Sequence, residues 1–499
     1  MALARFMISV NALIAVAVGV YFFVIPAIMG IYYINDQGLK ESQIPRLVMD
    51  QHEAITPQFE SWATDRIMEK AGGEVDENDI AGTEWPLFSA VYYLWTTEAL
   101  QEDYKKNKAA YDQAPRIYAK EAMKAAVKLL LDPNHAAFVK QKWGKDYLNK
   151  ENVFYRATAI AGLASYYKLT ADARYVDILK ARSLSLDQEL AASAYGLLND
   201  YPNECYPADV AFAYYAIHQA KNVLNIPADS TTQLGLRGFT VFSDTNQTEL
   251  QLPPFSLNLT NNPATHTGLP RGSSSAWFMQ FAPQLWPTQS KLWMDAFETL
   301  FWQRNWTAVG FKEYSEQQPT NWGFDIDGGP ILAGHGFTAS TFGIGASRLM
   351  NRYDLAYPLA AEMISISLPH LNGRLLLPNA LSDWTHAPLL GEVAIMYNLS
   401  RKATNNTTKR DQGSLPLFVY WANGLCWLLG LIVIWRGIRR TRRGRDLQVA
   451  PSYIIIQFVL WLLLILVSFK LVLEYNYLAS LGLVIVSRVF PILTLEPKK

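Results

Sequence analysis

Apolar positions in this chain fall into two regimes: long uncharged runs at the ends and shorter, helically spaced blocks between them. Met7 to Ile34 carries no charge and exceeds the roughly 20 apolar residues needed to cross a hydrocarbon core. It continues through Tyr21, Phe22, Phe23 and Pro26 to Tyr32 and Tyr33 without the short core and small-residue cleavage site of a signal peptide, so it is expected to remain as an anchor. Leu415 to Trp435 is a second expected span and runs straight into Arg436, Arg439, Arg440, Arg442, Arg443 and Arg445. Ile454 to Leu473 is a third, interrupted only by Lys470, which can snorkel to the interface or face a protein partner. Tyr477 to Leu495 is a fourth candidate despite Arg488 and Pro491. The basic loop 436–445, Arg5 near the start and Lys498–Lys499 at the end are all cytoplasmic in one orientation, which puts the middle of the chain outside. The arginine loop is also suited to anionic lipid. The expected organisation is a 1–34 anchor, a 35–413 extracytoplasmic domain and a 414–499 membrane region, with the inner membrane facing the periplasm if the source is Gram-negative.

Within 35–413 the apolar residues recur at helical spacing, separated by Pro, Gly, Asn and Asp. The more apolar blocks are Leu87–Leu100, Val153–Leu169, Val210–Leu224, Ser274–Leu285, Ile331–Leu349 and Pro388–Leu399. Between them lie charge-edged segments, Ile117–Leu131, Tyr175–Leu190, Ser290–Gln303 and Leu355–Ile366, which suit an outer surface. The alternation predicts an all-α domain, an (α/α)6 toroid with an inner and an outer ring and a central cavity at the loop end. An open α-solenoid gives the same pattern, because periodicity does not distinguish closure from openness.

Composition narrows the chemistry. Lys plus Arg number 44 and Asp plus Glu 44, so no overall field points to nucleic acid. The two cysteines, Cys205 in the soluble region and Cys426 in an apolar run, are not placed to pair. The wealth of aromatics fits a packed core and membrane-interface belts, or an aromatic-lined pocket. The histidines show no HExxH or other paired metal spacing, no Gly-rich phosphate loop follows a strand, and no serine sits in a GxSxG elbow. No metal and no cofactor is expected.

Two polar, aromatic loops open inner blocks. In 199–209, Glu204 and Asp209 present carboxylates near a helix N-terminus beside Tyr201 and Tyr206; Asp209 is equally a helix cap, which makes Glu204 the better acid–base candidate. In 322–330, Asp325 and Asp327 follow Trp322 among glycines and could face a cavity or hold a cation, although further spaced oxygen ligands are missing. Arg271 either begins a helix or brings a guanidinium to those acids.

These residues resemble a known family, the linalool dehydratase-isomerases and their relatives. The likeness runs through Lys150 to Arg156, Gly162–Leu163 with Tyr166–Tyr167, Ala173 to Tyr175, Gly196–Leu197, Val210 to Phe212 and Asp325 to Gly329, as short matches in one order. The resemblance implies an α/α toroid with a central, largely apolar pocket and cofactor-free removal and addition of water on a terpene alcohol. The family places two cysteines around the loop matching 196–210, where this chain has only Cys205, and Thr158 stands where the enzyme has a histidine.

Two functions are therefore carried forward. One is a membrane-anchored enzyme, a lyase, isomerase or glycoside hydrolase, cleaving or rearranging a C–O bond of an alcohol or saccharide. Glu204, Asp209, Asp325 and Asp327 are its catalytic candidates, and Tyr155, Tyr201, Tyr206, Arg271 and Trp322 its substrate-binding ones. The other is a non-catalytic subunit binding glycan, lipid or protein within a membrane assembly. Membrane lipid is an expected partner in both, together with a membrane-protein partner or a second copy. The orientation is testable: protease added outside sealed cells should cut between Asn35 and Gly413, and protection of that region would reverse the topology.

Overall fold

The computed structural model describes residues 13–227, 230–243, 252–261, 264–316, 319–326, 328–404 and 412–443, with isolated positions between 463 and 470. Most of the expected third span, all of the fourth, and Asp327 lie outside the described residues. A long apolar helix, α1 (Leu13–Ile34), precedes twelve helices of a barrel. They are α2 (Arg46–Met68), α3 (Trp85–Lys106), α4 (Lys120–Leu130), α5 (Val153–Thr170), α6 (Val176–Ala192), α7 (Pro207–Leu224) and α8 (Thr231–Ser243). The second half comprises α9 (Gly272–Phe278), α10 (Pro287–Phe301), α11 (Phe337–Leu349), α12 (Tyr353–Ser367) and α13 (Leu390–Ser400). A final apolar helix, α14 (Leu417–Arg443), follows.

The odd-numbered barrel helices form a closed ring. Helix α3 packs on α5, α5 on α7, α7 on α9, α9 on α11, α11 on α13, and α13 returns to α3. The even-numbered helices lie outside them, α4 against α3 and α5, α6 against α5 and α7, α10 against α9, and α12 against α11. Closure excludes the open solenoid. The sequence explains the layering: α5 is buried almost all round, whereas α4 buries Met123, Ala126, Val127 and Leu130 and leaves Glu121 and Lys128 exposed, the single stripe of an outer helix.

Because inner and outer helices alternate along the chain, the inner helices run in one direction. Their leading ends are tied together: the Val153 amide donates to Asn199 O, Tyr201 bonds Glu84 at the start of α3, and the Gly272 amide at the start of α9 donates to Glu313 O ahead of α11. Their trailing ends are tied too, through Arg401 to Gln280 O, Arg348 to Arg401 O, and Lys402 to Asp103. Three small antiparallel sheets decorate the loops: β1 (Ser256–Asn258) with β2 (Thr265–Gly268), β3 (Trp302–Arg304) with β4 (Val309–Phe311), and β5 (Trp322–Asp325), β6 (Gly329–Leu332) and β7 (His335–Gly336). The expected inner block 331–349 therefore begins as strand. The positive φ of Ala333 and Gly334 turns the chain before the helix starts at Phe337.

The expected central cavity is filled. Every inner helix sends a ring toward the axis: Phe88, Tyr92 and Trp95 from α3, Phe154, Phe212, Trp277, Phe342 and Tyr397. Ring centroids are 4.8 Å apart for Tyr92–Tyr397, 5.1 Å for Trp277–Phe342, 5.5 Å for Phe212–Trp277 and 4.8 Å for Phe88–Phe154. Such stacked, tilted and edge contacts bury much apolar area per residue, and they leave the polar chemistry to the loops at the leading end.

Helices α1 and α14 are the two among the described residues long and apolar enough to cross a membrane. They cross at small residues: a Cβ on Gly19 would meet Ile434 Cγ1 at 2.7 Å, and one on Gly430 would meet Val24 at 2.9 Å. Both pack on α12, where buried Asn423 donates to Ser365 Oγ at 3.0 Å. Tyr420, Trp421, Leu425, Leu428 and Trp435 remain exposed along α14, an apolar surface suited to lipid.

On α12, burial lifts the Glu362 carboxyl to about 7, against the opposing effect of the Val309 amide that it accepts at 2.9 Å. A raised carboxyl favours the fold only while protonated, so stability should fall as pH rises from about 4.5 to 7. Glu362→Gln keeps an acceptor for Val309. It should gain up to about 3 kcal/mol over wild type across that window, read as denaturation midpoints against pH; parallel curves would refute the assignment.

Candidate active site

The 199–209 loop is shaped by one tight turn. Asp200 N donates to Glu204 O at 2.8 Å and Glu204 N to Tyr201 O at 2.9 Å, with Asn203 at φ 69°, a conformation asparagine tolerates. Cys205 then exchanges backbone hydrogen bonds of 3.0 and 2.8 Å with Leu257, which clamps the β1–β2 hairpin onto the loop. The turn separates its carboxyls. Asp200 points inward and is 3% exposed, while Glu204 is exposed at the surface, where its Oε2 accepts from Tyr206 at 2.9 Å. The burial that would have made Glu204 the natural acid belongs instead to Asp200.

Asp200 Oδ1 accepts the Phe154 amide at 2.5 Å and so caps the start of α5. Its Oδ2 is buried and makes no hydrogen bond of ordinary geometry among the described residues. Burial, reinforced by the nearby Asp209 carboxyl and then Glu84, pushes the Asp200 pKa well above the usual carboxylate range, which favours its protonated form. Asp209 is its half-buried counterpart. It occupies the first turn of α7 and accepts Trp277 Nε1 from α9 at 3.0 Å, and both the helix N-terminus and the indole N–H stabilise negative charge there. Asp200 and Asp209 thus form an unequal pair, one fully buried and one half-buried at a helix N-terminus.

Tyr201 extends the pair. Its hydroxyl donates to Glu84 at the cap of α3, and Lys142 lies 4.3 Å from its ring centroid. Burial, then the charge of Glu84, holds the phenol firmly protonated. Cys205 is fully buried, and burial followed by the charges of Asp200 and Asp209 raises its thiol well above the ordinary range, which removes it as a nucleophile. Outside the turn opens a pocket of about 500 Å³, lined by Asn203, Glu204, Tyr206, Ser256, Asn258 and Thr267 with Pro202.

The second loop is an ion network. Arg271 Nε donates to Glu313 Oε1 at 3.0 Å, and Nη2 lies 2.7 Å from Asp325 Oδ1. Its side chain makes no helix cap; the guanidinium is there for the acids. Asp325 also accepts from Tyr314 at 3.0 Å and from the Gly328 amide at 2.7 Å. Burial alone would raise its pKa, but the Gly328, Arg271 and Tyr314 contacts outweigh that and hold it below the usual range. Glu313 is buried and displaced upward by desolvation, against the opposing effect of Arg271. The two loops meet through Phe255, 5.3 Å from Tyr206 and 4.5 Å from the Arg271 guanidinium carbon.

Of the substrate-binding candidates Tyr206 lines the outer pocket, whereas Tyr155, Tyr201, Arg271 and Trp322 do not. Tyr155 is 3% exposed and packs between Phe138 and Tyr147; burial in the helix layers removes it from the rim. Trp322 is 72% exposed and shares one face of β5 with Phe324, and Leu332 is its cross-strand partner. No group of His, Cys, Asp and Glu able to hold a metal occurs among the described residues.

Sequence reasoning missed Asp200, Glu84 and Glu313. A usable signal was present for Glu84: it precedes Trp85–Pro86 at the start of an inner block as Tyr206 precedes Pro207, and proline in the first turn marks a helix start.

No family model matches this chain, and no curated protein matches it. Among solved structures, a family 76 glycoside hydrolase from a bovine Bacteroides thetaiotaomicron strain aligns with a TM-score of 0.35 and 10% identity, covering 62% of this chain and 68% of that one. A likeness at that level carries no argument for fold or function; the ring rests on the packing described above. The resemblance to linalool dehydratase-isomerases finds no support in these comparisons.

Asp200 makes a thermodynamic prediction. Unfolded, it releases its proton near pH 4; the fold raises that pKa, so wild-type stability should decline as pH rises above about 4. Asp200→Asn should remove that decline, so the difference between the two proteins should change with pH. Denaturant midpoints measured across that range check it, and a constant difference would show that Asp200 ionises in the fold.

Proposed function

We propose that this protein is a membrane-anchored enzyme that cleaves a C–O bond of a saccharide by acid–base catalysis, with its barrel on the outer face of the membrane. The observation that carries this reading is the Asp200–Asp209 pair, a buried carboxyl whose pKa is raised beside a half-buried one, on the loop that lines a hydrophilic pocket through Asn203, Glu204 and Tyr206. Asn203, Asn258, Ser256, Thr267 and Glu204 offer hydroxyl and amide partners that a polyhydroxylated substrate can use and a terpene alcohol cannot. On this reading saccharide is preferred to apolar alcohol, and the pocket lies at the rim and not on the axis.

The proposed step is balanced. The C–O bond breaks with its electron pair going to the leaving oxygen, which takes the proton held by the Asp200–Asp209 pair; water adds to the carbon, and its proton passes to Glu204 at the pocket wall. Asp209, half-buried in the first turn of α7, is the more accessible member of the pair. Asp200, 3% exposed, acts through it as the positioning residue and proton store. Arg271 and Asp325 hold the neighbouring loop in place. The anchor is supported by α1 and α14 and by the basic residues of the last turns of α14; more than two spans and the outward orientation belong to the same proposal.

The test is turnover of a panel of envelope oligosaccharides and terpenols. Asp209→Asn should lower kcat by about 10²–10⁴ and Glu204→Gln by about 10², while Cys205→Ala retains activity. Full activity in Asp209→Asn would overturn the assignment. Binding of an oligosaccharide without turnover by the wild type would establish the alternative, a glycan-binding subunit.

A further inference from the structure

A second cavity lies far from the acid pair in sequence and is of a different character. It is a groove of about 570 Å³ between the end of α1 and the start of α2, closed on one side by Leu371 and Asn372. One wall is apolar: Ile28, Met29 and Tyr32, on one face of α1, with Ile28 and Tyr32 about half exposed. The other wall is charged: Arg46, Asp50 and Glu53 at positions i, i+4 and i+7 share a face of α2. Arg46 Nε donates to Asp50 Oδ1 at 2.8 Å, and Tyr33 OH donates to Asp50 Oδ2 at 3.0 Å. Arg46 is half exposed, its terminal nitrogens have no hydrogen-bond partner among the described residues, and Glu53 is exposed beside it.

Met29 packs on the barrel core and Asp50 is held by buried Tyr33, while Ile28, Tyr32 and Glu53 stay exposed. The apolar residues continue the surface of α1 to its last turns, where an anchor leaves the hydrocarbon, and tyrosine is favoured at that depth. The charged wall holds one guanidinium and two carboxylates. An anionic headgroup would meet excess negative charge there, whereas a headgroup with both a phosphate and an ammonium finds an opposite charge for each.

We propose that this groove seats a phospholipid with a primary-amine zwitterionic headgroup, its phosphate on Arg46, its ammonium on Glu53 and Asp50, and its acyl chain along Ile28, Met29 and Tyr32. The proposal rests on the membrane reading given above. A primary ammonium donates three hydrogen bonds, which a quaternary ammonium of the same charge cannot do, and this separates phosphatidylethanolamine from phosphatidylcholine.

The experiment reconstitutes the full chain into vesicles of equal parts phosphatidylethanolamine, phosphatidylcholine and phosphatidylglycerol, extracts it in mild detergent and quantifies the lipid that stays bound. Phosphatidylethanolamine should be enriched at least threefold over its share of the vesicle. Glu53→Gln and Arg46→Gln should each return it toward that share while still partitioning into vesicles. Retention in the bulk ratio, enrichment of phosphatidylglycerol, or enrichment that both substitutions leave untouched would overturn the proposal with the membrane reading intact. A chain that fails to partition at all would overturn both.

Discussion

Everything at the acidic end depends on the direction of the inner helices. Each is separated from the next by an outer helix running back, so the inner helices start at one rim, and each start leaves N–H groups unsatisfied and a partial positive charge. A rim built this way attracts carboxylates. Glu84 begins α3, Asp200 caps α5, Asp209 sits in the first turn of α7, and Asp325 and Glu313 lie just ahead of α11. The opposite rim answers with cations at helix ends, Arg348, Arg401 and Lys402. The dipoles of the fold thus sort the charges before any chemistry is chosen.

Within that field, single local features decide what each carboxyl can do. The turn at Asn203 sends Asp200 into the protein and Glu204 out of it, although they lie only four positions apart. Asp209 is reached by the indole of Trp277, which belongs to the ring plug, so the apolar axis and the polar rim share one side chain. Asp325 is held by a guanidinium, a phenol and an amide together, which suits a brace more than a group that must exchange protons.

Much of the architecture was legible in the chain because burial on all sides and burial on one side leave different patterns. The six apolar blocks correspond to the inner helices and the charge-edged segments to outer ones. Periodicity could not reveal that the ring closes, since the α13–α3 contact joins residues nearly three hundred positions apart, nor that the axis is full, since rings lining a cavity and rings filling it read alike. The site was half legible. The 199–209 and 322–330 loops stood out by composition, and Arg271 by its alternatives. Glu204 was preferred to Asp209 because Asp209 also serves as a helix cap, whereas Asp200 went unweighed because its burial depends on a backbone turn, and Glu84 and Glu313 were hidden because they join the rim only through tertiary contacts to Tyr201 and Arg271.

The plug of aromatic rings also governs traffic. A ring of helices with an open axis would offer two entrances, and a bound molecule could pass through it. With Tyr92, Trp95, Phe212, Trp277, Phe342 and Tyr397 locked across the middle, whatever enters at the acidic rim must leave by the same door. On the saccharide reading, a long polymer would therefore be met from one rim and would not be threaded through the ring.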